Sequence, residues 1–338
     1  MSNRETKSTR WWLAGVGLAY WGVQALRART RSLHGKVVLI TGGSRGLGLI
    51  LARQLAQDGC RVAICARDAQ ELTRAQDDIQ RFGIVEAQTC DVTDAEQVRT
   101  WIASVTERFG PPDIVINNAG VMLVGPVQTM GLADFQSVME TNFWGALRVI
   151  WAVLPQMRER RGGQIVNIAS IGGPLAMPHL LAYDCAKAAL RSLSEGLNAE
   201  LARDGIAVTT VIPGLMRTGS PVHGEFKGDA QREFDWFSFS AMSHLSSMDA
   251  ERAGQRIVRA IKQRESEVVL TWQAKLGSVA QGVLPSVVMA AFRVLNQLLP
   301  AGDGSLNTQA GKSLSSSLPI AGIKDRLARN AAQFNEGP

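Results

Sequence analysis

The chain contains only two tyrosines, Tyr20 and Tyr183, and Tyr183 opens the stretch Tyr183-Asp184-Cys185-Ala186-Lys187. Side chains four residues apart share one face of a helix, so this phenol and the Lys187 ammonium can enter the same cleft. An ordinary phenol, with a pKa near 10, is poorly matched to moving protons at neutral pH. A neighbouring ammonium favours phenolate and is expected to lower that value. The plain alternative is a packed tyrosine beside a solvated lysine. Ser170 ends a predicted buried strand thirteen positions earlier. Its hydroxyl there can hold a carbonyl oxygen beside the phenol, or simply cap a turn. Asn142, in Thr141-Asn142-Phe143, falls in a predicted helical region where asparagine is a mediocre helix former, which a back-bonded buried amide would also explain. Asn142, Ser170, Tyr183 and Lys187 are the candidate catalytic residues, and their chemistry is proton transfer at a carbonyl or alcohol.

A second cluster reads as a phosphate cradle. Thr41-Gly42-Gly43-Ser44-Arg45-Gly46-Leu47-Gly48 lies between a predicted strand and a predicted helix. Glycines there let the backbone turn sharply and approach a pyrophosphate, whose charge is met by the helix N-terminus. A Gly-rich turn alone is weak evidence; its place in a βαβ unit strengthens it. An NAD site would put an acid at the end of the second strand to accept the ribose hydroxyls. This chain has Cys65-Ala66-Arg67 there, with Arg45 inside the turn and no acid before Asp68. Two guanidiniums and no carboxylate suit the 2′-phosphate of NADP(H) better than the ribose of NAD. Asp68 is the residue that would spoil this reading.

These groups need a frame, and the sequence supplies one. Short β-branched runs at 37–41, 61–66, 85–91, 113–120, 164–170, 206–214 and 267–271 alternate with helical stretches near 48–59, in a charged run through 81, and near 95–109, 132–160, 182–203 and 247–264. Such alternation gives an α/β fold, a doubly wound parallel sheet of Rossmann type covered on both faces. Ser247 is the expected cap of the last of these helices, with Asp249 and Glu251 in its first turn. The expected organisation is a basic and apolar segment at 1–35, one catalytic domain at 36–273, an apolar or amphipathic segment at 274–300 and a loose tail at 301–338.

Charge is concentrated at one end. The chain of 338 residues has 36 basic and 30 acidic side chains, a net charge of +6. Seven basic residues against one acid lie in the first 36, bracketing the uncharged run Trp11–Leu26. A nucleic-acid protein would spread its basic residues over a face, so nucleic acid is not the expected partner. With 46% hydrophobic residues the chain has ample material for a core, which excludes a disordered protein. The four cysteines show no metal-ligand spacing, and no metal site is expected; a reducing compartment follows. As a helix, 11–26 would be about 24 Å long, short of a hydrocarbon core of about 30 Å. Its tryptophans and flanking cations suit a membrane surface, with spanning left open and the catalytic domain facing the cytoplasm. The run 276–299, broken by Pro285 and Arg293, suits an amphipathic helix on a membrane or a partner rather than a span.

Taken with their order and spacing, these motifs resemble the short-chain dehydrogenase/reductase family over about residues 36–272. The match is carried by TGGSRGLG, Asp91-Val92, Asn117-Asn118-Ala119-Gly120, Asn142, Ser170, Tyr183, Lys187 and Pro213-Gly214. The resemblance implies that Tyr183 exchanges a proton with the substrate oxygen as hydride is transferred, Lys187 holds the ribose hydroxyls and tunes the phenol, Ser170 orients the substrate, and Asn142 supports a water-linked relay. It implies cofactor contacts at Thr41, Gly42, Ser44, Arg45, Gly46, Leu47, Gly48, Arg67, Asp91, Val92, Asn118, Ala119, Gly120, Pro213, Gly214 and Thr218. Homo-oligomers are common in the family. Ala186 stands where a serine is frequent, and Asp184 is expected to face outward. The region 219–245 corresponds to the family's substrate lid. Its Phe226, Phe234, Trp236, Phe237 and Phe239 either line an apolar pocket or pack the lid onto its own core, and His179 either meets substrate or sits on the rim. The expected function is NADP(H)-dependent interconversion of a carbonyl and an alcohol on a lipophilic substrate. The competing function is a non-catalytic NADP(H)-loaded sensor or scaffold at a membrane.

Overall fold

The computed structural model describes residues 30–243, 246–314 and 323–336. The 11–26 segment lies outside them. A seven-stranded sheet is built from β1 (Val37–Thr41), β2 (Arg61–Ala66), β3 (Ile84–Thr89), β4 (Ile114–Asn117), β5 (Gly163–Ile168), β6 (Ile206–Ile212) and β7 (Glu267–Val269). Across the sheet the order is β7-β6-β5-β4-β1-β2-β3, with every neighbouring pair parallel.

Alternation along each strand explains the two helical layers. Val38 and Ile40 of β1 pack with Leu51 and Leu55 of α1 (Gly46–Gln57), Leu72 and Ile79 of α2 (Ala69–Ile79), and Ile257 and Ile261, which lie farther along the chain. Val37 and Leu39 face the other way, onto Trp101 and Val105 of α3 (Ala95–Phe109). Neighbouring residues of one strand thus serve opposite cores, as a strand buried on both faces must. Full burial of a Leu or Ile contributes roughly 1.5–3 kcal/mol. Strand order reverses between β1 and β4, which opens a crevice at their carboxyl ends.

The predicted helix at 132–160 is three pieces: α4 (Leu132–Met139), a π-helical turn at Glu140–Gly145, and α5 (Ala146–Glu159). α6 (Leu181–Leu201) carries Tyr183 and Lys187. The lid centres on α7 (Ala230–Met242), and α8 (Ala250–Gln263) returns the chain to β7. Ser247 does not cap α8. It lies in a short strand, Ser247–Asp249, and Asp249 caps the helix by accepting from Arg252 N–H.

The carboxy-terminal apolar segment forms α9 (Trp272–Val283), and Pro285 starts a separate α10 (Pro285–Leu298). Residues 301–338 do not form a loose tail throughout. Gln309–Ala310 pairs with the lid strand Glu225–Phe226, and α11 (Ile323–Gln333) packs on α7. The polar composition of this stretch conceals Leu327 and Ala331, which are buried against the lid.

Candidate active site

Asn142, Ser170, Tyr183 and Lys187 open onto one cleft of about 740 Å³ at the carboxyl ends of the strands. Lys187 is almost fully buried; its Nζ lies 5.6 Å from the Tyr183 ring centroid and donates to Ile168 O at 2.9 Å. Burial, which disfavours the charged form, pulls the Lys187 ammonium down to about 8. The same cause pushes the Tyr183 phenol up to about 12, opposed by its hydrogen bond with Ser170 and reinforced by Asp184. The expected depression of the phenol by Lys187 is therefore not found. Loss of water outweighs the ammonium, which is directed at a backbone carbonyl.

The π-helical turn aims Asn142. Such turns insert one residue and recur at functional sites. Asn142 Nδ2 donates to Val121 O at 2.9 Å and to Val138 O at 3.0 Å. Its Oδ1 is buried with no hydrogen-bond partner among the described residues. A methyl group on Gly120 would lie 2.6 Å from that oxygen and 3.5 Å from Lys187 Nζ. An acceptor and a donor thus flank the same small space. Ser170 Oγ accepts from Gly172 N–H at 3.1 Å, which fixes the hydroxyl beside the phenol.

The Gly-rich turn is braced from behind. Asn118 Nδ2 donates to Thr41 O and Gly42 O, both at 3.0 Å, and Thr41 Oγ1 accepts the N–H groups of Asn118 and Ala119. Gly42 has φ +62°, and a Cβ on Gly48 would collide with Gly42 O. Thr41 and Gly48 lie behind the turn, off the cleft wall. The other expected cofactor residues line the cleft: Gly42, Ser44, Arg45, Gly46, Leu47, Arg67, Asp91, Val92, Asn118, Ala119, Gly120, Pro213, Gly214 and Thr218. Asp91 spends one carboxylate oxygen on its own turn, accepting from Thr93 N–H and Oγ1.

Electrostatics at the end of β2 differ in part from the expectation. Asp68 caps α2, and the bonds it accepts from Glu71 and Gln70 N–H hold its carboxyl below the usual range. The cap uses only Oδ1, and the exposed carboxylate lines the cleft next to Arg67. Arg67 is exposed at the cleft edge. Arg45 is not a free cation: its Nη1 meets both carboxylate oxygens of Glu71 at 2.8 Å, and Ser44 Oγ donates to the same carboxylate at 3.1 Å. Glu71 was invisible to sequence reading, because a Glu three residues after an Asp cap reads as a capping element.

A family model described as short chain dehydrogenase matches residues 36–223. A putative ketoacyl reductase of Streptomyces coelicolor is 39% identical over 188 residues, covering 54% of this chain and 71% of that protein. A short-chain dehydrogenase from Streptomyces avermitilis matches in structure with a TM-score of 0.65 at 32% identity, over 78% of this chain and 96% of that one. A metagenomic short-chain oxidoreductase in complex with NADP gives a TM-score of 0.58 at 26% identity, over 71% and 98%. The chain belongs to the short-chain dehydrogenase/reductase family.

This dehydrogenase departs from its expected site mainly around the lid. Asp184 does not face outward. It is buried, accepts from Met177 N–H at 2.6 Å, and is pushed up to about 8 by burial. His179, at φ +67°, neither sits loosely on the rim nor lines the cleft; its Nδ1 meets Glu233 Oε1 of α7 at 2.8 Å, while Trp236 Nε1 donates to Glu233 Oε2 at 2.6 Å. The pair pins the lid to the loop before α6. Phe226, Phe234 and Phe237 pack into the lid's own core, Trp236 packs against its edge, and Phe239 is exposed. Of the five aromatics only Phe237 reaches the cleft wall. The apolar lining comes instead from residues the sequence did not single out, Met122, Met177, Leu180, Leu215, Met216 and Val222.

Proposed function

We propose that this short-chain dehydrogenase is an NADP(H)-dependent oxidoreductase that interconverts a carbonyl and a primary or secondary alcohol on a lipophilic substrate. The observation that carries the reading is the convergence of Tyr183, Ser170, Lys187 and Asn142 on one cleft whose far side is a braced Gly-rich turn. The residues fit a dinucleotide: glycines keep the floor at Gly42 and Gly120 clear of side chains, and Arg67 at the cleft edge suits a 2′-phosphate, with the neighbouring Asp68 partly engaged in capping α2. Nicotinamide, when bound, supplies or accepts the hydride. Tyr183 Oη gives its proton to the substrate oxygen in reduction, and Ser170 Oγ orients that oxygen. Lys187 holds ribose hydroxyls, and the space between its Nζ and Asn142 Oδ1 suits a water that returns the proton. Methionine-rich walls, which adapt to irregular apolar shapes, support a lipophilic substrate. Tyr183→Phe is the test: turnover of aliphatic and aromatic ketones with NADPH falls at least a thousandfold while NADPH affinity stays within about threefold. Full activity in that variant overturns the mechanism. Failure of the parent protein to turn over any carbonyl while binding NADPH would favour a sensor.

The attachment to membranes is part of the same reading. None of the described helices is long and apolar enough to cross a bilayer. α9 and α10 nevertheless expose Trp272, Leu276, Val279, Val283, Leu284, Val287, Val294 and Leu298. Lys275 and Arg293 are the charged residues in this stretch, and no acid occurs from Val268 to Gly302. Apolar surface with a purely cationic fringe supports lying on an anionic leaflet. Flotation with vesicles containing about a third phosphatidylserine checks this; Leu276→Glu/Val283→Glu/Val287→Glu should abolish the component due to this face.

A further inference from the structure

The carboxy-terminal segment runs straight into the Gly-rich turn. Leu327 and Ala331 of α11 anchor it under the lid, and Phe334 is buried against Ile50 and Ala250. Gly46 N–H, the first of the helical donors that the turn of α1 holds out to a phosphate, donates to Phe334 O at 2.9 Å. Asn335 adopts φ +56° and donates through Nδ2 to Ser44 O at 2.8 Å and to Glu71 O at 3.0 Å; its Oδ1 accepts from Arg74 Nε at 2.8 Å. His223 Nε2 lies 3.1 Å from Glu336 O. The Glu336 side chain is 4% exposed and lines the cleft, its carboxylate lying between Gly46 and Gly219. A methyl group on Gly46 would collide with Glu336 Oε1, and one on Gly219 would come within 2.5 Å of Oε2.

We propose that the Gly-rich turn has two alternative occupants: the phosphates of a dinucleotide, and the chain's own Phe334-Asn335-Glu336, whose carboxylate stands in for the pyrophosphate. The inference rests on the reading of this cleft as a dinucleotide site. The geometry makes the two exclusive at two points. Gly46 N–H has one hydrogen to give, and the space over Gly46 and Gly219 holds one anionic group. The docked segment is also displaceable. Burial pushes the Glu336 carboxyl up to about 8, against the nearby Arg45, so its charge holds a helix N-terminus less well than that of a phosphate. The segment masks the cradle when nucleotide is scarce and yields when it is plentiful. Displacing it also releases α11 from the lid helix, which couples nucleotide entry to the wall of the substrate pocket.

Hydrogen–deuterium exchange on the full chain tests this without any variant. Saturating NADPH should protect 44–48 and speed exchange at 330–336. Asn335→Gly/Glu336→Ala keeps the left-handed backbone at 335 and removes both anchoring side chains. It should bind NADPH about tenfold tighter in a fluorescence titration, as follows if roughly nine-tenths of the parent is masked. NADPH slowing exchange at 330–336, or the double variant binding NADPH equally or more weakly, would make the segment part of the nucleotide site and overturn masking. Absence of NADPH binding in parent and variant alike would instead remove the dinucleotide reading, and this inference with it.

Discussion

Replacing Arg67 by alanine separates a site built for a 2′-phosphate from one built for a free ribose. Asp68 spends Oδ1 on capping α2, and Arg45 has Nη1 committed to Glu71, so the exposed Arg67 is the guanidinium with the most to offer a phosphate at the end of β2. A hydrogen bond to a charged group contributes about 1.5–3 kcal/mol, and solvent screening at an exposed position draws this toward the lower figure. That corresponds to a roughly ten- to hundredfold rise in the NADPH dissociation constant. NADH, lacking the phosphate, should change by less than about threefold. Arg45→Ala should weaken NADPH less at this position, because part of its fork is already spent. It should cost stability instead, about 1–3 kcal/mol, by leaving the buried Glu71 carboxylate without its cation. Titration of nucleotide fluorescence at low and moderate salt measures the first pair of constants, and the NADPH penalty should shrink as salt rises. Equal losses for NADPH and NADH in Arg67→Ala, or tighter NADH than NADPH binding by the parent, would refute the argument.

Three other outcomes follow from the geometry. The Lys187 ammonium, pulled down to about 8, is charged below that pH and neutral above it, so kcat/KM should fall through about pH 8, and Lys187→Arg should remove that limb from the profile. Asp184 is raised to about 8 in the fold from its ordinary value near 4. The unfolded chain therefore gives up that proton first, and stability present at low pH drains away up to about pH 8. Asp184→Asn should gain melting temperature relative to the parent across that window, and parallel curves would show the carboxyl to be ionised in the fold. Gly48→Ala drives a methyl group into Gly42 O and the Asn118 amide, so it should lose NADPH binding and melt earlier; retention of both would mean the turn yields freely.

The frame and the side chains that converge on the cleft were legible because their signals are local. Short continuous β-branched runs mark strands buried on both faces. The Tyr183–Lys187 interval is set by helical geometry, and glycine spacing reports how closely backbone must approach. What escaped depends on contacts between residues far apart in the chain. Glu71 pairs with Arg45 across 26 positions, and its place in a charged helix gave no hint of burial. Asn335 reaches Ser44 across 291. A stretch rich in Gly, Ser and Asn hid α11, because a short helix needs only two or three buried anchors once a lid offers a groove. The aromatic lid misled in a different way: Phe226 and Phe234 are large enough to build the lid's own core, and flexible methionines took the cleft wall.

The proton's position in this molecule bears on direction. A phenol pushed up to about 12 is protonated throughout the physiological range. Each pKa unit corresponds to about 1.4 kcal/mol, so ionising it at pH 7 costs on the order of 7 kcal/mol. Accepting a proton from an alcohol requires that ionised state; giving one to a carbonyl oxygen does not. Burial of the phenol therefore favours the proton-donating half of the proposed exchange over the accepting half. No other group drives the rise as far, since the hydrogen bond from Ser170 opposes it and Lys187 spends its ammonium on Ile168 O. Anything that turns Lys187 from that carbonyl toward the phenol, 5.6 Å from the ring centroid, would lower the cost of oxidation. Lys187, proposed to hold the ribose, is thus also the residue through which nucleotide occupancy would change the acid strength of Tyr183.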